Sequence, residues 1–252
     1  MKDLGLNLPQ RPAKPREEGL TMVMDSGYSI SELEALFEVA YDYVDYIKLG
    51  WGTSFVTQNF EKKVQFFHDK KMPFCLGGTF FELMYQKKKI DAFTDIVKSN
   101  QIPLVEISNG TVTMSKEEKL DFIRQYSEFA TVYSEFGSKD TEVEYAPSKW
   151  VEWITEELEA GSAKVIAEGR ESGKAGLYRD SSEIRSGLVD DIAKYIDIKN
   201  IIWEAPQKNQ QVWFIKKFGT NVNLGNINIK SVIGVETLRQ GLRGDTLLTF
   251  NE

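Results

Sequence analysis

Short apolar runs alternate along the chain with longer segments in which apolar residues recur every three or four positions. Eight short runs stand out: Thr21–Asp25, Tyr46–Gly50, Pro73–Gly77, Pro103–Ser108, Thr131–Glu135, Lys164–Glu168, Ile201–Glu204 and Asn221–Gly225. Their β-branched and aromatic content marks them as strands. The intervening segments carry one-sided helical stripes. Leu33, Phe37, Ala40 and Val44 follow Ser31 and Glu34, which have the spacing of a capping box. Trp150, Trp153, Ile154 and Leu158 follow Pro147-Ser148, a good helix start, while Leu188, Ile192, Tyr195 and Ile196 form a third stripe and Val235, Leu238 and Leu242 the last. Strand–helix alternation requires a parallel sheet with right-handed crossovers, and eight repeats favour closure. The expected fold is α/β, a single-domain (β/α)8 TIM barrel over residues 21–252. Residues 1–20 read as an N-terminal arm that covers the barrel's bottom or reaches a neighbouring subunit, with a disordered leader as the alternative.

Strands buried on both faces should be continuously apolar. Here nearly all are interrupted near their C-terminal ends: by Asp25, Lys48, Glu106, Glu135 with Lys139 beyond it, Glu168 with Arg170, and Glu204. Each buried charge needs a partner, a metal or water. In a barrel these ends converge on one mouth, where such folds place their chemistry. Carboxylates there offer hard oxygen ligands to a divalent cation, with Mg2+ the natural candidate. The alternative is a set of internal ion pairs that only plugs the top. Barrel loops after strands seven and eight often hold phosphate, which makes Asn223, Gly225 and Asn226 of NVNLGNI candidates for that role, against an ordinary polar turn. The long connection 169–187 carries Lys174, Arg179 and Arg185 and could close over an anionic substrate, or be simply solvated.

Composition narrows the chemistry. The only histidine, His68, lies in the charged helical stretch EKKVQFFHDKK and reads as a surface residue, which removes His-based triads and HExxH zinc sites. The single Cys75 excludes an internal disulfide and reads as buried and inert. A net charge of -7 without a basic stripe argues against nucleic acid. No run approaches the roughly 18 apolar residues of a membrane span, and the N-terminal stretch carries charges and three prolines where a secretory signal needs an apolar core. A cytoplasmic protein with no membrane partner is expected, and a homo-oligomer. No GxGxxG or Walker A loop is present.

The blocks TMVMDSG, DYIKLGWGTS, PFCLGGTFFE, VEISNGT, SEFGSKD, KVIAEGRESG, EAPQKNQQVWFIKKFGTNVNLGNI and ETLRQGLRGDT together resemble the phosphosulfolactate synthases, from about Thr21 to Thr246. The resemblance implies a (β/α)8 barrel and a Mg2+-dependent addition of sulfite to phosphoenolpyruvate, giving (2R)-phospho-3-sulfolactate, a step in coenzyme M biosynthesis. It implies that negative charge builds on the substrate carboxylate and is met by a metal on strand-end carboxylates. In that light Glu106, Glu168 and Glu204 are the expected ligands, with Asp25 and Glu135 behind them. Lys139 is the expected general acid, its pKa lowered by Lys48 and Arg170, and these two suit the anions. Two alternatives remain at this stage. The same resemblance extends to a plant heat-stress protein, so the barrel could act non-catalytically through protein partners; or it could be a related Mg2+-dependent lyase for another phosphorylated carboxylate.

Overall fold

The computed structural model describes residues 5–137, 145–169, 176–179 and 181–250. Eight parallel strands form one sheet: β1 (Thr21–Asp25), β2 (Tyr46–Leu49), β3 (Phe74–Cys75), β4 (Leu104–Ser108), β5 (Thr131–Phe136), β6 (Lys164–Ala167), β7 (Ile201–Glu204) and β8 (Leu224–Asn228). The order β3-β2-β1-β8-β7-β6-β5-β4 pairs the first strand with the last, so the sheet curls round and leaves β3 and β4 in contact at a seam that carries no ladder among the described residues. The architecture is the expected (β/α)8 barrel. Its crossovers carry α1 (Ile30–Ala40), α2 (Thr53–Val56), α3 (Phe60–Asp69), α4 (Gly78–Gln86), α5 (Ile90–Ser99), α6 (Lys116–Ser127), α7 (Pro147–Glu159), α8 (Ser186–Tyr195), α9 (Lys208–Phe218) and α10 (Val232–Arg239), with a last turn, α11 (Leu247–Phe250). No described helix is long and apolar enough to cross a membrane.

Local chemistry explains where the helices begin. α1 is capped two residues earlier than the sequence suggests. The Ser29 hydroxyl accepts the Glu32 N–H and the Glu32 carboxylate accepts the Ser29 N–H, a frame that turns Leu33, Leu36, Phe37 and Ala40 inward. Ser115 and Glu118 repeat the device on α6. Pro147 opens α7, which buries Trp150 edge-on against Phe136, ring centroids 4.8 Å apart. Two expected stripe positions lie outside the core: Tyr195 is exposed at the end of α8, and Leu242 lies beyond the end of α10 and is half exposed.

The barrel interior is layered. Met22, Tyr46, Cys75, Leu104, Ile166 and Ile202 form an apolar plug with Tyr133 packed on it. Side chains two residues apart share a strand face. Lys48, Glu106, Glu135, Glu168 and Glu204 each follow a plug residue by two, so they form the layer directly above it, toward the C-terminal ends of the strands. This is how a packed barrel carries an open, polar mouth.

The strand β8 departs from expectation. It runs over Leu224–Asn228 in place of the expected Asn221–Gly225, so Gly225 and Asn226 both lie inside it. Thr21 pairs with Leu224 but Val23 pairs with Ile227, so both residues stand opposite Met22, with Asn226 at φ 54°. The pair is a bulge, which inserts an extra residue into one strand and kinks it. At the opposite end of the barrel, residues of the arm meet the segments that precede the strands. Arg11 reaches Glu236, Asn221 and the Gly19 carbonyl; Lys14 reaches the Tyr41 and Val44 carbonyls; and Lys164 reaches the Glu17 carbonyl.

Candidate active site

The layer above the plug centres on Lys48. Its Nζ lies 3.1 Å from Glu106 Oε2, 3.1 Å from Glu204 Oε1 and 3.4 Å from Glu135 Oε2. All four residues are buried. Burial alone disfavours an ammonium, but the three carboxylates more than offset it and hold the Lys48 pKa well above its usual value. It is therefore a fixed positive charge rather than a base. Glu106 shows the reverse balance: burial, with Glu135 and Glu204 adding repulsion, outweighs Lys48 and pushes its carboxyl up to about 7.

Two further contacts tie the carboxylates to backbone N–H groups at the start of the connections that leave the strands. Glu106 Oε1 accepts the Gly78 N–H at the first turn of α4, at 2.5 Å, and Glu204 Oε2 accepts the Gly169 N–H at 2.9 Å. Glycine is required at Gly78, where a Cβ would lie 2.5 Å from Ser108 Oγ and 2.9 Å from Glu106 Oε1.

Glu135, Glu168 and Glu204 each bring one carboxylate oxygen to within 4.8 Å of the other two. Three buried hard oxygens that close suit a divalent cation of the Mg2+ class, which takes carboxylates and keeps water or substrate in its other positions. The residues present thus fit the implied metal. The geometry groups Glu168 and Glu204 with Glu135 in place of Glu106, whose Oε1 is taken by the Gly78 N–H of α4.

The other expected site residues fall in different places. Asp25 faces outward from the barrel. Its Oδ2 pairs with Lys63 of α3 at 2.6 Å while Oδ1 accepts the Gly27 and Tyr28 N–H groups, so it anchors the loop after β1 and does not reach the carboxylate triple. Asn223 lies before β8 at the barrel's bottom, where its side chain accepts from Leu20 N and donates to the Lys199 and Ile201 carbonyls. That position corrects its expected place in a mouth phosphate site. Gly225 sits in the plug layer, where a Cβ would be 3.0 Å from Met22 Cε and 3.5 Å from Glu204 Cγ. Asn226 is buried in the bulge, with its N–H on Met22 Sδ. Both therefore lie within the strand, not in the loop after it. Arg179 is exposed, in a turn that its own carbonyl and N–H close with Ser182 and Glu183. Lys139, Arg170 and Lys174 lie outside the described residues.

Sequence reasoning missed an outer tier. Lys63, Glu82, Lys119 and Glu157 are buried residues on helices. Glu82 holds the loop after β4 by accepting from Ser108 Oγ and the Gly110 and Thr111 N–H groups. Lys119 pairs with Glu157 at 2.6 Å and donates to the Glu135 carbonyl at 2.7 Å. Inside charged, amphipathic helices these residues look like solvated positions, and only their tertiary partners reveal them.

A sequence profile described as (2R)-phospho-3-sulfolactate synthase (ComA) matches residues 9–245. The chain is 43% identical over 249 residues to the phosphosulfolactate synthase of Bacillus subtilis (strain 168), covering 98% of this chain and 99% of that one. The chain belongs to the phosphosulfolactate synthase family. A second phosphosulfolactate synthase, from Methanothermobacter thermautotrophicus, is 40% identical over 249 residues, with 96% of each chain covered. Among solved structures, the 3-hexulose-6-phosphate synthase of Salmonella typhimurium superposes with a TM-score of 0.58, at 11% identity, over 89% of this chain and all of that one, a likeness of fold alone. The layer around Lys48 gathers a buried lysine and buried carboxylates at the C-terminal ends of the strands.

Proposed function

We propose that the protein is a lyase that joins sulfite to phosphoenolpyruvate and gives (2R)-phospho-3-sulfolactate, with Mg2+ as its cofactor. The observation that carries this reading is the buried triple of Glu135, Glu168 and Glu204 beside the Lys48 ammonium. Both substrates are anions and the chain is acidic, so the mouth must supply positive charge locally. Mg2+ held by the triple, when bound, supplies that charge opposite the substrate carboxylate, where electron density builds during the addition.

The chain's own residues account for the rest. Sulfite sulfur bonds to the methylene carbon, the carbon–carbon double bond opens, and a proton must reach the neighbouring carbon. Lys48, kept as an ammonium by its carboxylate neighbours, holds positive charge at a fixed point and can donate to an anionic oxygen. Lys139, which follows β5 in the chain, is the proposed general acid, and Arg170, after β6, a proposed anion partner. The apolar plug beneath closes the lower side of the site to water. The same reading takes the enzyme to be cytoplasmic and homo-oligomeric. Purified protein supplied with Mg2+, phosphoenolpyruvate and sulfite is expected to form phosphosulfolactate, detected by mass spectrometry. Absence of product across a wide range of sulfite and metal concentrations contradicts the proposal.

A further inference from the structure

The three residues of the carboxylate triple share a second feature. The backbone carbonyl of each accepts a hydrogen bond from outside the strand ladders. Lys119 Nζ, reaching in from α6, donates to the Glu135 carbonyl at 2.7 Å. The Tyr178 hydroxyl donates to the Glu204 carbonyl, and the Leu177 N–H donates to the Glu168 carbonyl at 2.9 Å. Tyr178 and Lys119 are 3% and 1% exposed. A carbonyl held in place fixes the orientation of its own residue's Cα, and with it the line along which the side chain leaves the strand.

We infer that Tyr178, and Lys119 held by Glu157, are positioning residues that aim the carboxylates of Glu204 and Glu135 at a shared divalent cation. The inference rests on the proposed cation site. A buried ion pair is in general a poor stabiliser compared with apolar packing, so gluing α6 to α7 does not by itself account for Lys119 and Glu157. The extra bond from Lys119 to the strand end does. The pair is also neutral overall, so it adds no net charge near the cation. Tyr178 supplies the same bond without any charge, its hydroxyl donating to the Glu204 carbonyl. Groups that orient metal ligands in this way typically change affinity by about 10–100-fold when removed.

The test is Mn2+ binding, followed by the loss of the free-ion electron paramagnetic resonance signal, on the full chain. Four proteins are compared: the unaltered protein, Glu168→Gln, Tyr178→Phe and the double variant Lys119→Met/Glu157→Met. The unaltered protein is expected to bind one Mn2+ and Glu168→Gln to lose it. Failure of either result overturns the cation site itself, and this inference with it. With those two in place, Tyr178→Phe and the double variant are each expected to bind about tenfold more weakly while keeping the circular dichroism spectrum of the parent. A merely structural role lowers Tm and leaves Mn2+ affinity where it was. Unchanged affinity in Tyr178→Phe overturns the role of Tyr178, and unchanged affinity in the double variant overturns that of Lys119. Tyr178→Phe removes a single oxygen atom, so it reports even if the double variant fails to fold.

Discussion

The two ends of this barrel both bury charge and use it in different ways. At the bottom, Arg239 is fully buried and donates to the carbonyls of Thr220 and Val222, both at 2.6 Å, and of Leu20, while Lys164 donates to the carbonyls of Glu17 and Lys199. At the mouth the buried groups are mainly carboxylates, and Glu106, Glu204, Asp25 and Glu82 all accept from backbone N–H groups. The asymmetry follows from topology. In a β/α repeat each strand's C-terminal end runs toward a helix N-terminus, which offers N–H groups and partial positive charge, and each N-terminal end receives a helix C-terminus, which offers carbonyls. Acids are therefore favoured above and bases below, although Asp45 and Glu236 are buried at the bottom and Lys48, Lys63 and Lys119 toward the mouth. At the bottom Arg239 and Lys164 are spent on backbone oxygens, while Arg11 and Arg16 pair with the buried carboxylates of Glu236 and Asp45. The mouth keeps carboxylate oxygens turned toward one another around Lys48.

If that division is right, substitutions at the two ends should separate activity from stability. The largest effect is expected from Lys48→Met, which removes the ammonium shared by three carboxylates. The rate of phosphosulfolactate formation should fall about a thousandfold, and a variant retaining a tenth of parental activity would break the assignment of Lys48 to the chemistry. Arg239→Met is the counterpart at the bottom. It strands several buried carbonyls and should cost about 3–5 kcal/mol, read as a Tm lower by roughly 10 °C, with kcat unchanged at temperatures where the variant is folded. A selective loss of kcat there would mean that the bottom is not merely structural.

A smaller effect should appear in pH dependence. Glu106 is pushed up to about 7 in the folded protein, chiefly by burial, against an ordinary value of 4.5. Folding thus binds a proton in the window between those values, so this residue's contribution to stability is complete below the lower one and is lost as pH rises through the upper one. Glu106→Gln resembles the protonated form at every pH. Its Tm should match the parent's near pH 5 and exceed it at pH 8 by an amount equivalent to about 1–3 kcal/mol, measured without divalent cation. Parallel Tm profiles would show that Glu106 is not crowded as described.

Much of this contrast was legible in the chain. The barrel follows from eight strand–helix repeats, and the mouth from charges that interrupt apolar runs, as Glu106 does in LVEISNG; of these charges Lys48, Glu106, Glu135, Glu168 and Glu204 all face inward. The strand β8 was not legible in the same way. Gly225 and Asn226 have the composition of a turn, and a bulge with Asn226 in the left-handed region uses the same residue types, so sequence alone reads NVNLGNI as a mouth loop although Asn223 lies at the bottom. Nor could periodicity distinguish Asp25, whose side chain faces α3, from its inward-facing neighbours. Ser29 and Ser31 each precede a glutamate at capping-box spacing, and only packing of Leu36 and Phe37 selects the first. Lys63, Glu82 and Lys119 read as surface charges because their partners lie on other elements.

The most direct test of the central claim is an anomalous difference map from crystals grown with Mn2+ and phosphoenolpyruvate. The account predicts one strong peak at the barrel mouth, about 2.1 Å from carboxylate oxygens drawn from Glu135, Glu168 and Glu204. A mouth with no peak, or a peak held by other residues, would contradict it.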